Sequence, residues 1–250
     1  MVHLLPLPGA PRPAAPERTL ARALADARAW AANGADALLI ENFGDRPFLP
    51  ERVEPVTVAA MARVVAAIAR EIRLPLGVNV LRNDARSALA LAAAFGLAFF
   101  RVNVHAGAAL TDQGVLTGRA HETLRERAAL RCGARLYADV RVKHAVPLAP
   151  RPLVDEARDL LERAGADALL LTGPATGVRP DRSALTEMRR AFPRAQLLLA
   201  SGVDPDLIAA TRSDASGWIV GTWAKRGGDV AAPVDPARVR RLARARDGGR

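Results

Sequence analysis

The segment Asp139-Val140-Arg141-Val142-Lys143-His144 brings a carboxylate, an ammonium group and an imidazole together just past an apolar run. That combination suits proton transfer beside a developing negative charge. Asp139 and Glu41 are the candidates for moving protons, because partial burial can raise a carboxyl pKa toward neutrality. Lys143 could stabilise an oxyanion or a phosphate. A Schiff base on Lys143 fits less well, since the residue falls beyond its strand rather than within it. His144 could act as an acid or orient a neighbour. His3, Asn79, Arg101 and Asn103 are expected to hold polar substrate groups, and Asp112 to approach the substrate from a loop.

A second set of residues pairs hydroxyls with glycine: Thr172-Gly173, Thr176-Gly177, Ser201-Gly202 and Gly221-Thr222. Glycine lets backbone N–H groups approach an anion closely, so these turns are candidates for holding a phosphate. Lys225, just beyond, could add a charged contact. No metal or other cofactor is expected: there is no His-x-His pair, no cysteine cluster and no dinucleotide fingerprint. Magnesium held by Glu41 or Asp139 with waters is the only cation site the residues allow.

The elements that must position these groups are legible as a repeat. Eight apolar runs (Val2-Leu5, Ala37-Ile40, Leu76-Val80, Phe99-Val104, Leu136-Val140, Ala168-Leu171, Leu197-Ala200 and Trp218-Val220) each close into polar or glycine-containing sequence. Helical stretches fill the gaps, near Glu17-Ala32, Val56-Ile72, from Asp84 as N-cap to Gly96, Arg119-Arg131, Pro152-Ala164, Arg182-Ala191, Pro205-Thr211 and Pro236-Ala245. Asn33 reads as the left-handed stop of the first helix. Strands alternating with helices imply βαβ units, and eight units in 250 residues imply a single-domain (β/α)8 TIM barrel of the phosphate-binding type. Residues just past the strands then form the active face. The stretch 107–118, carrying Thr111-Asp112-Gln113-Gly114, reads as a long loop or lid.

Alternation decides facing. A charge trapped beneath an outer helix is costly, so Phe100, Val102 and Val104 point outward while Phe99, Arg101 and Asn103 point inward. The same argument turns Gly77, Asn79, Tyr137, Asp139 and Glu41 inward, with His3 from the first strand. Six polar groups therefore converge. A buried ion-pair network serving only packing is the competing reading.

Composition narrows the partners. The net charge is +10, but only Lys143 and Lys225 are lysines among the 36 basic residues. Such bias reflects a GC-rich genome, with arginine filling surface positions, so nucleic-acid binding is not expected and the Arg238–Arg246 cluster reads as a solvated helix face. Cys132 lies away from the predicted site and has no catalytic role. No run is long enough to span a membrane and no signal segment is evident, so cytoplasmic residence is expected. Residues from about 246 read as a disordered tail.

Several segments together resemble the BtpA family. They are Val2-His3-Leu4-Leu5-Pro6-Leu7-Pro8-Gly9, Glu41-Asn42-Phe43-Gly44-Asp45, Gly77-Val78-Asn79-Val80-Leu81-Arg82-Asn83-Asp84, Arg101-Val102-Asn103-Val104, Thr111-Asp112-Gln113-Gly114, Ala138-Asp139-Val140, Val142-Lys143-His144-Ala145, Thr176-Gly177, Ser201-Gly202-Val203 and Val220-Gly221-Thr222. The resemblance implies a barrel of the phosphate-binding kind. It also implies either a metabolic enzyme acting on a sugar phosphate or nucleoside-like compound, as suggested for the SgcQ-like members, or a membrane-peripheral factor in photosystem I biogenesis. Peripheral membrane contact and self-association are compatible with it. Family members carry apolar residues ahead of Val2-His3, so the first strand is expected to be truncated and the barrel weakly closed there.

Overall fold

The computed structural model describes residues 1–149 and 151–248. Eight parallel strands form one sheet: β1 (Val2–His3), β2 (Leu38–Glu41), β3 (Leu76–Asn79), β4 (Phe99–Val102), β7 (Arg135–Arg141), β9 (Ala168–Thr172), β10 (Leu197–Ala200) and β11 (Gly217–Ile219). Each neighbours the next in the order of the chain. Helices α1 (Pro16–Ala31), α2 (Pro55–Glu71), α3 (Ala85–Phe95), α4 (Ala120–Ala129), α5 (Leu153–Arg158), α6 (Arg182–Ala191), α7 (Pro205–Thr211) and α8 (Pro236–Arg246) alternate with them. This is the (β/α)8 barrel the repeat implies. Proline opens α1, α2, α7 and α8, where its missing N–H costs nothing. Asp84 caps α3 through the Ser87 N–H, and Gly96 ends it in the left-handed region.

Val2, Ile40, Val78, Phe100 and Leu136 pair across β1, β2, β3, β4 and β7 and are buried in the layer shared with the helices. The inward set is offset by one residue. At the barrel floor Met1, Leu39 and Phe99 pack with Tyr137 and Ile219, and Phe99 stacks on Tyr137 at 4.7 Å. Gly77 is glycine because the Phe99 ring fills its side-chain position; a Cβ there would lie 2.2 Å from that ring. His3, Glu41, Asn79 and Arg101 then share the register above the floor.

β1 is short, as expected, and forms no ladder with β11; the Met1 nitrogen donates to the Val220 carbonyl at 2.9 Å across that seam. Lys225 does not reach the phosphate turns. It is fully buried, and its Nζ donates to Asp26 Oδ2 of α1 at 2.8 Å. Asp26 Oδ1 also accepts the Val234 N–H, so this pair staples the last crossover onto the first helix. Its expected role as a phosphate contact is withdrawn on that ground.

Five local expectations change. The stretch 107–118 is not an irregular loop: β5 (Ala108–Thr111) and β6 (Gly114–Thr117) form a hairpin that pairs antiparallel with β8 (Ala145–Pro147). Alternation explains it, because Leu116 is buried with Val104 and Val142 while Leu110 and Val115 face out. The fifth helix passes after Arg158 into a π-helical turn, Asp159–Arg163, and the displaced Ala164 carbonyl meets buried His105 Nε2 at 2.9 Å. The left-handed stop after α1 is Gly34, with φ of 100°, rather than Asn33, which bonds the Ala29 carbonyl. Arg238 and Arg241 cover the Trp223 ring at 4.5 and 5.1 Å, so part of that basic cluster packs inward. α8 continues to Arg246, which donates to the Gly34 carbonyl; the rest of the supposed tail, 249–250, lies outside the described residues.

Removing one partner of a buried ion pair leaves the other charge uncompensated. Lys225→Met should therefore lower the unfolding free energy by about 3–5 kcal/mol in urea denaturation, and Lys225→Met with Asp26→Leu should restore much of it.

Candidate active site

All six polar groups expected inside the barrel meet. Arg101 is the hub: its Nε and Nη2 donate to Asp139 Oδ1 at 3.2 and 3.0 Å, and Nη2 also reaches Oδ2 at 3.0 Å. Its Nη1 lies 3.9 Å from Glu41 Oε2. Asn79 donates to Glu41 Oε2 and Asn103 to Asp139 Oδ2, both at 2.7 Å. His3 Nε2 lies 3.8 Å from Glu41 Oε1. Glu41, Asn79, Arg101, Asn103 and Asp139 are all at most 4% exposed. Both Asp139 oxygens are thus engaged, whereas Glu41 Oε1 keeps only the distant His3. Of the two carboxylates proposed for magnesium, Asp139 has both oxygens committed to Arg101 and Asn103, which leaves Glu41 Oε1 as the oxygen that could meet a cation with waters. Among the described residues no group of three or more His, Cys, Asp or Glu side chains converges.

The rim is cationic and partly aromatic. His3 stacks on Phe43 at 4.4 Å. The Arg46 guanidinium lies over the Phe43 ring at 4.3 Å, and Lys143 Nζ is 5.6 Å from its centroid. Arg82, 3% exposed, donates through Nη2 to the Lys143 carbonyl at 2.6 Å, while its Nε is buried without a partner. Burial pushes the Lys143 ammonium below its usual value, opposed by Glu41 and reinforced by Arg101. Burial also lowers His3 well below the ordinary histidine value, with Lys225, the amino terminus, Lys143 and Arg46 adding to it. His144 is lowered by burial and by Lys143 and Arg82. His3 is thereby a neutral imidazole at neutral pH, and its contact with Glu41 is not an ion pair.

The four glycine-hydroxyl turns are brought to one side of the mouth by β9, β10 and β11, which are neighbours. Thr172 Oγ1 is spent on the Arg141 carbonyl at 2.8 Å, and Thr176 engages His144 Nε2 through its hydroxyl at 3.1 Å. Ser201 and Gly202 are both left-handed, with φ of 65° and 59°, and Gly202 packs so tightly on Val178-Arg179 that a Cβ would lie 2.4 Å away. The strained Ser201 conformation is the kind that clusters at ligand sites. Gly221 abuts His3, its Cβ position being 2.9 Å from the imidazole. It precedes the 3-10 turn Thr222–Ala224, whose first N–H groups have no partner within the turn. Asp112 sits exposed at the hairpin tip beside Gln113, bringing its charge toward Arg82 and His144. A cavity of about 410 Å³ opens beneath the hairpin sheet and is lined by Asn103, Asp139, Val140 and Leu160 among others.

A family model described as the BtpA family matches residues 1–248. The chain belongs to the BtpA family. It is 42% identical over 240 residues to the photosystem I biogenesis protein BtpA of Synechocystis sp., covering 96% of this chain and 84% of that one. A protein of Archaeoglobus fulgidus is 42% identical over 248 residues, covering 99% and 97%. The sgc region protein SgcQ of Escherichia coli is 32% identical over 243 residues, covering 96% and 90%. Among solved structures, N-(5'-phosphoribosyl)anthranilate isomerase of Pyrococcus furiosus aligns with a TM-score of 0.59 at 14% identity, covering 90% and 94%. Thiamine phosphate pyrophosphorylase of the same organism aligns at 0.58 and 13%, covering 92% of each. These likenesses show the barrel fold.

In this BtpA-family site, Phe43, Arg46 and Arg82 are the rim residues to which sequence reasoning assigned no role. The signal was present, since all three follow barrel strands directly. The abundance of arginine hid two of them, and Phe43 resembled an ordinary apolar residue. Asn42, Asn83 and Asp45 are structural. Asn42 accepts the Leu81 N–H and donates to Asp45, Asp45 accepts the Leu7 N–H, and Asn83 pairs with the Val104 backbone.

Because folded His3 binds its proton more weakly than the unfolded chain does, acid favours unfolding. The stability carried by neutral His3 is present above its unfolded value of 6.5 and lost as the pH falls below it. His105 and His144 act in the same direction. His3→Gln should flatten the fall in stability between about pH 7 and 5; an unchanged slope in a denaturation series would show that His3 is not held neutral.

Proposed function

We propose that the chain is an enzyme acting on a small phosphorylated metabolite, a sugar phosphate or nucleoside-like compound. The observation that carries the reading is the juxtaposition of two buried carboxylates with a cationic rim and glycine-hydroxyl turns at one end of the barrel. A phosphate fits the Ser201-Gly202 and Gly221-Thr222 turns, with Thr172-Gly173 and Thr176-Gly177 as the adjoining wall. The reacting part of the ligand then lies over Arg101, Asn79, Asn103 and His3. Glu41, with one oxygen free of short contacts, is the residue that takes or gives the proton. Asp139 anchors Arg101 and Asn103 while its negative charge faces the ligand. Lys143 supplies positive charge to a developing oxyanion, and His144 orients the Thr176 wall.

Thermal-shift measurements against inorganic phosphate, sugar phosphates, nucleosides and nucleotides, with and without magnesium, test the ligand class. A compound present at 100 times its Kd adds about 2.7 kcal/mol of stability. With a compound so found, Glu41→Gln should lower turnover about 10²- to 10⁴-fold with the circular dichroism spectrum retained. Loss of stability without loss of turnover would leave the polar cluster with a packing role only.

A second reading, a non-catalytic factor for a membrane protein complex, rests on a separate observation. Val115, Leu110 and Val146 stand in register across the hairpin sheet, and each is at least 51% exposed. It also draws on the similarity to the photosystem I biogenesis protein of Synechocystis. Among the described residues no helix is long and apolar enough to cross a membrane, so contact would be peripheral. That reading requires salt-sensitive sedimentation with anionic liposomes, abolished by Leu110→Glu, and no stabilisation by any phosphorylated metabolite.

A further inference from the structure

The rim holds more positive charge than its carboxylates compensate: Arg82 and Arg101 are buried, Lys143 is half-buried and Arg46 is exposed. Arg46, Arg82, Arg101 and Lys143 face two buried carboxylates, Glu41 and Asp139, and Arg101 already takes both. Among the described residues no carboxylate lies within 4.0 Å of Arg46, Arg82 or Lys143. Asp112, the acid nearest in charge to Arg82, is exposed at the hairpin tip. Arg82 is 97% withdrawn from solvent, yet its Nε has no partner and its single short bond goes to a neutral carbonyl. A buried guanidinium without an anion is costly, and a protein retains one where an anion is to arrive.

The cluster adjoins the Thr176 wall, where the His144 N–H donates to the Pro174 carbonyl and His144 Nε2 meets Thr176, but it reaches Gly221 only through Phe43 and His3. His3 and Arg46 each lie about 4.4 Å from the Phe43 centroid, too close to share one face, so they sandwich the ring. Gly221 touches His3. The contacts therefore run Gly221, His3, Phe43, Arg46, with Lys143 Nζ 5.6 Å from the same ring and the Lys143 carbonyl bonded to Arg82.

We propose that Arg46, Arg82 and Lys143 form a second anion cradle, so that the ligand is a phosphorylated compound carrying a further oxyanion, carboxylate or phosphate, at its other end. The proposal rests on the functional reading above for the first phosphate, while the cradle stands on its own geometry. Arg82 would supply a buried guanidinium held by the Lys143 carbonyl, Arg46 a second guanidinium from the rim, and Lys143 a point charge. A neutral sugar or nucleoside moiety would leave all three unpaired.

Nuclear magnetic resonance titrations of the whole protein with inorganic phosphate, and separately with acetate, test this site by site. Phosphate should shift two sets of signals with independent affinities. One set is the Gly202, Gly221 and Thr222 amides; the other is Arg82 Nε–H with the Lys143 and His144 amides. Arg46→Gln and Lys143→Met should each weaken the second set about tenfold or more and leave the first in place. Arg82→Gln should do the same; if circular dichroism shows it misfolded, the other two variants carry the test. Acetate moving the second set as strongly as phosphate assigns it to a carboxylate, and phosphate alone moving it assigns a second phosphate. Shifts confined to the glycine turns, or a second set indifferent to Arg46→Gln and Lys143→Met, overturn the cradle and leave the phosphorylated-ligand reading intact. Shifts confined to the cradle overturn the placement of the first phosphate instead.

Discussion

A guanidinium placed inside a barrel dictates much of what surrounds it. Arg101 sits at 4% exposure, where an unpaired charge costs several kcal/mol after relaxation. It needs acceptors on more than one side, and it receives Asp139 from β7 and Glu41 from β2. Those carboxylates in turn need donors, and Asn103 and Asn79 provide them. The register that makes His3, Glu41, Asn79 and Arg101 neighbours is thus fixed twice, by the backbone ladder and by this chain of charge-assisted bonds. A shift of one residue in any of the four strands would bury the polar set against the helices.

The barrel interior is therefore layered by chemistry. The floor is apolar, with Phe99 lying where Gly77 lacks a side chain. The polar layer rests on it, and the charged rim lies above. The layers are lopsided as well. Polar side chains come from β1, β2, β3, β4 and β7, while β9, β10 and β11 end in glycine-hydroxyl turns. Such a division suits a ligand with a reacting polar part on one side and an anionic handle on the other. The hairpin sheet of β5, β6 and β8 closes over the polar side and leaves its own outer face apolar.

Strand facing was the most legible feature, because alternation leaves only one arrangement in which no charge lies under a helix. Arg101, Asp139 and Glu41 follow from it directly. Helix limits followed from proline, Asp84 and Gly96, whose effects act within one turn. The rim was poorly legible. Arg46 and Arg82 were two arginines among many; what distinguishes Arg82 is burial with an unpartnered Nε, and what distinguishes Arg46 is its seat over the Phe43 ring, and neither has a local signature. Lys225 shows the opposite failure. Its rarity made it look functional, but its position is explained by Asp26, 199 residues away in the chain.

By itself the sequence determined the eight-fold alternation, the inward set of polar side chains and membership of the BtpA family. All three rest on short-range periodicity or on runs of residue identity that survive without coordinates. Tertiary structure alone decided which groups are paired and which are left over. It joined Lys225 to Asp26, engaged both oxygens of Asp139, turned a supposed loop into a hairpin, and left Arg82 buried without an anion. The physical reason is that a charge's role depends on the solvent it has lost and the partners it has met. Both are set by distances between segments far apart in the chain.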